Sequence, residues 1–125
     1  MRDDSGSAVV EFTLVSALLV ALTLAVLQLG LALHVRNTVQ DAAAEGARFA
    51  ALADNAPADG IRRTHELIVQ AIGPDYADDV SVSLGEWQGH PVVAVTVRTT
   101  LPVIGLIGVT GGLEVTGHAA IEVLP

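Results

Sequence analysis

The chain has 125 residues, room for one compact domain, with a formal net charge of −8, six arginines, no lysine and no cysteine. That balance leaves no basic footprint for nucleic acid and no polybasic segment to hold a peripheral protein on anionic lipid, and it excludes disulfides, thiolate metal sites and cysteine nucleophiles. Hydrophobic residues make up 51% of the chain but aromatic residues only 3%, a composition of Ala, Val and Leu suited to lipid and to close helix packing.

Residues 1–6 precede the first apolar stretch, and Arg2 is offset there by Asp3 and Asp4. From Phe12 to Leu33 no residue is charged. As a helix this run is roughly 33 Å long, against a bilayer hydrocarbon core of about 30 Å. Thr13, Ser16 and Thr23 can return their hydroxyls to backbone carbonyls of the same helix, and Gln28 can face a partner helix or the interface. A buried core helix would need more chain around it than is left over. A cleaved secretory signal would have a shorter apolar stretch ending at a small-residue site. Here the run passes straight into Val35-Arg36-Asn37, which predicts one retained membrane span over 12–33. Arg36 on the far side balances Arg2, so charge alone leaves the orientation open.

The helical pattern continues past the span. Val35, Val39, Ala43 and Ala47 recur every four residues, and a parallel row of small residues runs through Ala42, Gly46 and Ala50. Such a row admits a second backbone at close range: that of another subunit, or of the protein's own sheet. Asp54, Asn55 and Pro57 end the stem, so residues 7–53 read as one membrane and stem helix and 54–125 as a head outside the membrane. A second helix is predicted over Gly60 to Ile72, with Asp59 as its N-cap and Gly73-Pro74 as its stop. The period then changes to two. Val80, Val82 and Leu84 form one strand, Gln88-Gly89-His90-Pro91 a turn, and Val93, Val95 and Val97 the returning strand. Leu113 to Thr116 and Ala119 to Val123 supply a final strand or a broken pair. The fold class is therefore α+β: a long N-terminal transmembrane helix, a second helix, and an antiparallel sheet of three or four strands laid on the stem. The apolar, glycine-punctuated stretch 101–109 could touch membrane, subunit or sheet, and its role is left open.

Catalytic constellations do not assemble. His34, His65, His90 and His118 lack metal-ligand spacing, and His65-Glu66 is followed by Val69 where a zinc-protease motif needs its second histidine. Gly105, Gly108, Gly111 and Gly112 lack the lysine and hydroxyl of a phosphate loop, Ser81 and Ser83 fall in a strand pattern rather than a nucleophile elbow, and Asp78-Asp79 reads as a solvated turn. No enzymatic activity and no cofactor or metal are expected.

The remaining signal is Gly6-Ser7-Ala8-Val9-Val10-Glu11-Phe12, running directly into the apolar segment. A carboxylate near a helix N-terminus is favoured by about 0.3–1 kcal/mol through the exposed amides and the macrodipole. That explains tolerance of Glu11, but not a glycine five residues before it. The arrangement resembles the processing site of type IV pilin-like proteins. It implies cleavage by a prepilin peptidase between Gly6 and Ser7, which makes residues 1–6 a leader and Glu11 the fifth mature residue. Glu11 could then pair with the new amine of a neighbouring subunit and set helix register. Together with the long helix, Leu33 to Ala43 and Glu45-Gly46-Ala47-Arg48-Phe49-Ala50, the motif resembles the TadE-like family of the tight-adherence (Flp pilus) systems. The resemblance is best over residues 5–53. It implies a pilin-like fold and a minor pilin or pseudopilin taking part in pilus assembly. It also implies a single-pass protein of the bacterial cytoplasmic membrane with its N-terminus inside and its head outside, whose partners are other pilin-like subunits and the assembly machinery. Two alternatives stand beside it: an anchored extracytoplasmic binding or sensory module, and a pseudopilin of a type II secretion system.

Overall fold

A computed structural model describes residues 3–101 and 112–122. Its element order is α1 (Asp3–Ala51), α2 (Pro57–Ile72), a 3-10 turn (Pro74–Tyr76), β1 (Asp79–Trp87), β2 (His90–Thr100) and β3 (Gly112–Ala120). The three strands form one antiparallel sheet in the order β1-β2-β3. This is the expected α+β layout, with a single last strand rather than a broken pair. Of the apolar connection, 102–109 lies outside the described residues.

α1 is one helix of 49 residues, about 73 Å long by its rise per residue. Its two halves differ in what surrounds them. An 18-residue window of its apolar part has a mean hydropathy of 2.4, and none of that window is buried. Phe12 is 74% exposed, and Leu18, Leu24 and Leu29 stand similarly open. Thr13 and Thr23 donate their hydroxyls to the carbonyls of Val9 and Leu19, both at 2.8 Å, which satisfies those polar groups inside the helix. The other half enters the core: Val35, Val39, Ala43 and Ala47 are buried with Val93, Val95 and Val97 of β2 and Leu113 and Val115 of β3. The four-residue spacing thus marks the face that the sheet covers.

β3 runs alongside α1 at very short range. Gln40 donates its side-chain amide to the Thr116 carbonyl at 3.1 Å, and the Glu122 amide donates to the Ala51 carbonyl at 2.8 Å. β3 therefore points the same way as α1, with its start toward the apolar half and its end level with the helix C-terminus. The two backbones lie close together at Gly117, where an added Cβ would run into Ala44 N and lie 2.6 Å from Ala43 O.

The second row on the stem, Ala42, Gly46 and Ala50, faces α2 of the same chain. A Cβ at Gly46 would strike the Thr64 hydroxyl and come within 2.8 Å of the Gly60 carbonyl, while one at Gly60 would meet Ala50 Cβ at 2.7 Å. Thr64 is fully buried in this crossing and donates a long bond of 3.4 Å to the Ala42 carbonyl. Within the chain, the close neighbour of this row is α2 rather than the sheet.

Two boundaries differ from the sequence expectation. α2 begins at Pro57, so its N-cap is Ala56 and Asp59 sits at the third helical position. Proline at the first helical position needs no amide donor and sets the entry dihedral. Asp59 still serves the helix start: its carboxylate accepts the Ala56 amide at 2.6 Å, while its own amide donates to the Ala56 carbonyl at 3.0 Å. The β1–β2 turn is the two residues Gln88 and Gly89, both with positive φ (51° and 80°), which suits the twist of a two-residue hairpin. His90 and Pro91 belong to β2, where Pro91 stands second in the strand and keeps its carbonyl for the Ile121 amide at 3.0 Å.

Gly117→Ala should therefore destabilise the head by about 1–3 kcal/mol, because the helix and strand backbones must separate. Gly85→Ala, where a Cβ meets nothing within 4 Å, should change stability by no more than about 0.5 kcal/mol. Urea unfolding of the purified chain in detergent measures both.

Candidate functional site

The N-terminal motif lies in the first turns of α1. Gly6, Ser7 and Glu11 are helical and exposed. A Cβ at Gly6 would meet nothing within 4 Å, so this glycine is not required by packing. Ser7 and Glu11 are four residues apart, which puts them on one face of the helix one turn apart. Glu11 makes no hydrogen bond or ion pair among the described residues. The geometry is thus an exposed carboxylate on the flank of a helix that carries no further charge from Phe12 to Leu33. In water such a group costs nothing; among apolar surroundings it would need a cationic partner or protonation.

The other end of the stem carries the head's charges. Arg48 reaches Glu45 at 3.4 Å and Arg62 reaches Asp59 at 2.9 Å, both three residues apart on one helix. Arg98 on β2 meets Glu114 of β3 at 2.8 Å. All three pairs are largely solvated, so each adds little to stability. The Glu114 carboxylate holds the Arg98 guanidinium above its ordinary pKa, with a smaller push from Asp79. The Ala56 amide holds Asp59 below the ordinary carboxylate value; desolvation works against it, and Arg62 adds to the lowering. Arg63 is different. Its guanidinium lies 6.0 Å from the Phe49 ring centroid, and its buried Nε has no hydrogen-bond partner.

The described residues form concavities on the head, two of which bear on function. One, of about 430 Å³, runs between the helices and is lined by Thr38, Asp41, Glu45, Arg48, Leu67 and Ala71 among others. The second, of about 620 Å³, lies on the sheet beside Leu84, Trp87, Val92, Ala94 and Ala120. Ser83, Glu86 and His118 also line the second; Ser83 and His118 stand on the two outer strands with Ala94 between them, and no hydrogen bond joins them. Among the described residues no group of three or more His, Asp or Glu side chains could hold a metal ion, and His34, His65, His90 and His118 are all exposed on separate parts of the chain. The sequence did not mark Trp87 or Arg63 as notable. Nothing in local spacing distinguishes an exposed tryptophan at a strand end from a core one, and the Arg63–Phe49 contact joins two helices.

A family model described as TadE-like protein matches residues 6–48, from the glycine of the N-terminal motif through the Ala-rich stem to Arg48. Among curated proteins and among solved structures, none matches the chain. The matched region holds the apolar helix and the first part of the face buried by the head; α2 and the sheet lie beyond it.

The depressed pKa of Asp59 gives a pH test. A carboxylate with a lowered folded-state pKa stabilises the fold above its ordinary value of 3.8, and that contribution is lost as pH falls through the lower folded value. Asp59→Ala should lower the thermal midpoint at neutral pH, and its difference from the parent chain should shrink as the pH drops below 3.8.

Proposed function

We propose, for a chain whose residues 6–48 are TadE-like, that it is a membrane-anchored, non-catalytic subunit taking part in assembly of a tight-adherence pilus. The observation that carries this reading is the union of two features in one helix. Glu11 stands at the mouth of an apolar stretch that none of the described residues covers, and the stem beyond it is locked into a folded head. In water each exposed Leu, Val or Phe of that stretch forgoes about 1.5–3 kcal/mol of burial. A bilayer supplies the missing burial and matches the length of the run.

On this reading the chain crosses the cytoplasmic membrane once, with residue 6 inside and the head outside. A prepilin peptidase cleaves between Gly6 and Ser7, which leaves a charged amine at Ser7. Its position one turn from Glu11 on the same face suits pairing between neighbouring helices slid by a few residues: the amine of one neutralises the carboxylate of the next. That pairing offsets the cost of a carboxylate among lipid tails and fixes the register of packed helices. Other pilin-like subunits and the assembly machinery are its partners. The head works by contact rather than by chemistry.

The test uses a host with a functioning tight-adherence system and its own copy of this chain deleted. Supplying the parent chain should restore pili and yield a mature protein whose mass begins at Ser7. Supplying Glu11→Ala should leave membrane insertion intact and reduce pili at least tenfold. Mature protein retaining Met1 would overturn the processing step, and full piliation with Glu11→Ala would overturn the register role.

A further inference from the structure

The contacts between α1 and the head set the height of each part of the sheet relative to the apolar run. Gly117 of β3 lies against the backbone of Ala43 and Ala44. Gly112, at the start of the same strand, is five residues nearer the apolar half of α1. That is about 14–17 Å of axial travel for a strand inclined by up to about 30°, or about nine to eleven helical residues. Gly112 is thus level with Ala32 to His34, where the charge-free run ends at Leu33. Its partner across the sheet is Thr100, and Leu101 follows. Thr100 and Gly112 are exposed, while Leu101 is half-buried against the core.

Charge is distributed along the head in step with this height. The sequence carries no charged residue from Thr99 to Leu113. The first charges on the sheet form one row across all three strands, Asp79 paired with Arg98 and Arg98 with Glu114. This row stands two residues, about 6–7 Å, beyond the Thr100–Gly112 pair. Arg36, the first arginine of α1 after the run, stands about 4–5 Å beyond Leu33. α2 runs back toward the same end, since Gly60 meets Ala50 and Thr64 meets Gly46. The turn after it adds Asp75 and Asp78, next to Asp79. Four acids therefore stand against two arginines around this end of the head, and the uncharged tip of the sheet projects past them.

A bilayer has the same profile along its normal: hydrocarbon, then about 5–7 Å of headgroups, then water. α1 is unbroken from Asp3 to Ala51, so no hinge lifts the head away from the end of the apolar run. We propose that the uncharged end of the sheet, at Thr100, Leu101 and Gly112, rests in the headgroup layer of the bilayer that α1 crosses. The Asp79–Arg98–Glu114 row then lies at the outer margin of that layer. Because acids outnumber arginines there, the contact draws nothing from anionic lipid. Together with the span, this second contact fixes the tilt of the head. The inference rests on the membrane anchorage proposed above.

The chain has no cysteine, so Thr100→Cys, Gly112→Cys, His90→Cys and Leu24→Cys chains each take a single nitrobenzoxadiazole fluorophore. A Cβ at Gly112 meets nothing within 4 Å, His90 is exposed at the opposite end of β2, and Leu24 is exposed within the apolar run. The full-length chains are reconstituted into phosphatidylcholine/phosphatidylglycerol vesicles containing lipid with a nitroxide on the headgroup or at mid-chain. Headgroup nitroxide should quench the labels at 100 and 112 at least about twofold more than the label at 90, with or without phosphatidylglycerol. Mid-chain nitroxide should quench the label at 24. Labels at 100 and 112 quenched no more than that at 90 would overturn the contact, and so would a contrast that requires phosphatidylglycerol. A label at 24 that the mid-chain nitroxide leaves bright would contradict the anchorage itself. Quenching at 24 without quenching at 100 and 112 contradicts the sheet contact alone.

Discussion

Everything in this chain is arranged around one helix whose two halves face different surroundings. The stem half has its small and β-branched positions filled from both sides. β2 and β3 lie against Val35, Val39, Ala43 and Ala47, and α2 lies against Ala42, Gly46 and Ala50. Among the described residues the apolar half has no such cover, and its Leu and Val side chains are open. Because α1 is continuous, the head cannot move independently of the apolar rod. Whatever covers the rod fixes the height and tilt of the head.

Close backbone approach is the means by which a small head grips a long helix. Gly117 lets β3 lie directly on α1, and Gly46 with Gly60 lets α2 cross it with Thr64 enclosed. No disulfide and few aromatic residues assist. Stability in such a head comes from many small apolar contacts at short range, so one added methyl at a crossing is felt more than a lost surface ion pair.

Much of this was legible in the sequence. The unbroken apolar run, the four-residue spacing after it and the change to period two located α1, α2 and the sheet, because each rests on a period that only one element type satisfies. What escaped depends on partners distant along the chain. Spacing alone placed a close neighbour at Ala42, Gly46 and Ala50, but that the neighbour is α2 follows from Gly60 and Thr64 meeting that row across the turn. Asp59 was legible as a helix-start residue, yet Pro57 takes the first helical position and moves the cap to Ala56. His90 and Pro91 read as turn, but the positive φ of Gln88 and Gly89 completes the reversal in two residues and frees both for β2. The outer sheet face and the Arg63–Phe49 stacking had no local signature at all. At the N-terminus the structure adds position rather than partners: Gly6, Ser7 and Glu11 lie exposed on the helix among the described residues.

The TadE-like match covers the apolar helix and most of the stem and stops before the head. The matched part includes the stretch of helix left uncovered by the described residues, whereas the head beyond it buries one face of α1. Alkaline carbonate extraction of membranes containing the full chain tests this most directly. The account predicts that the protein stays with the lipid pellet and is released only by detergent. Recovery of folded, monomeric protein in the aqueous supernatant would contradict it.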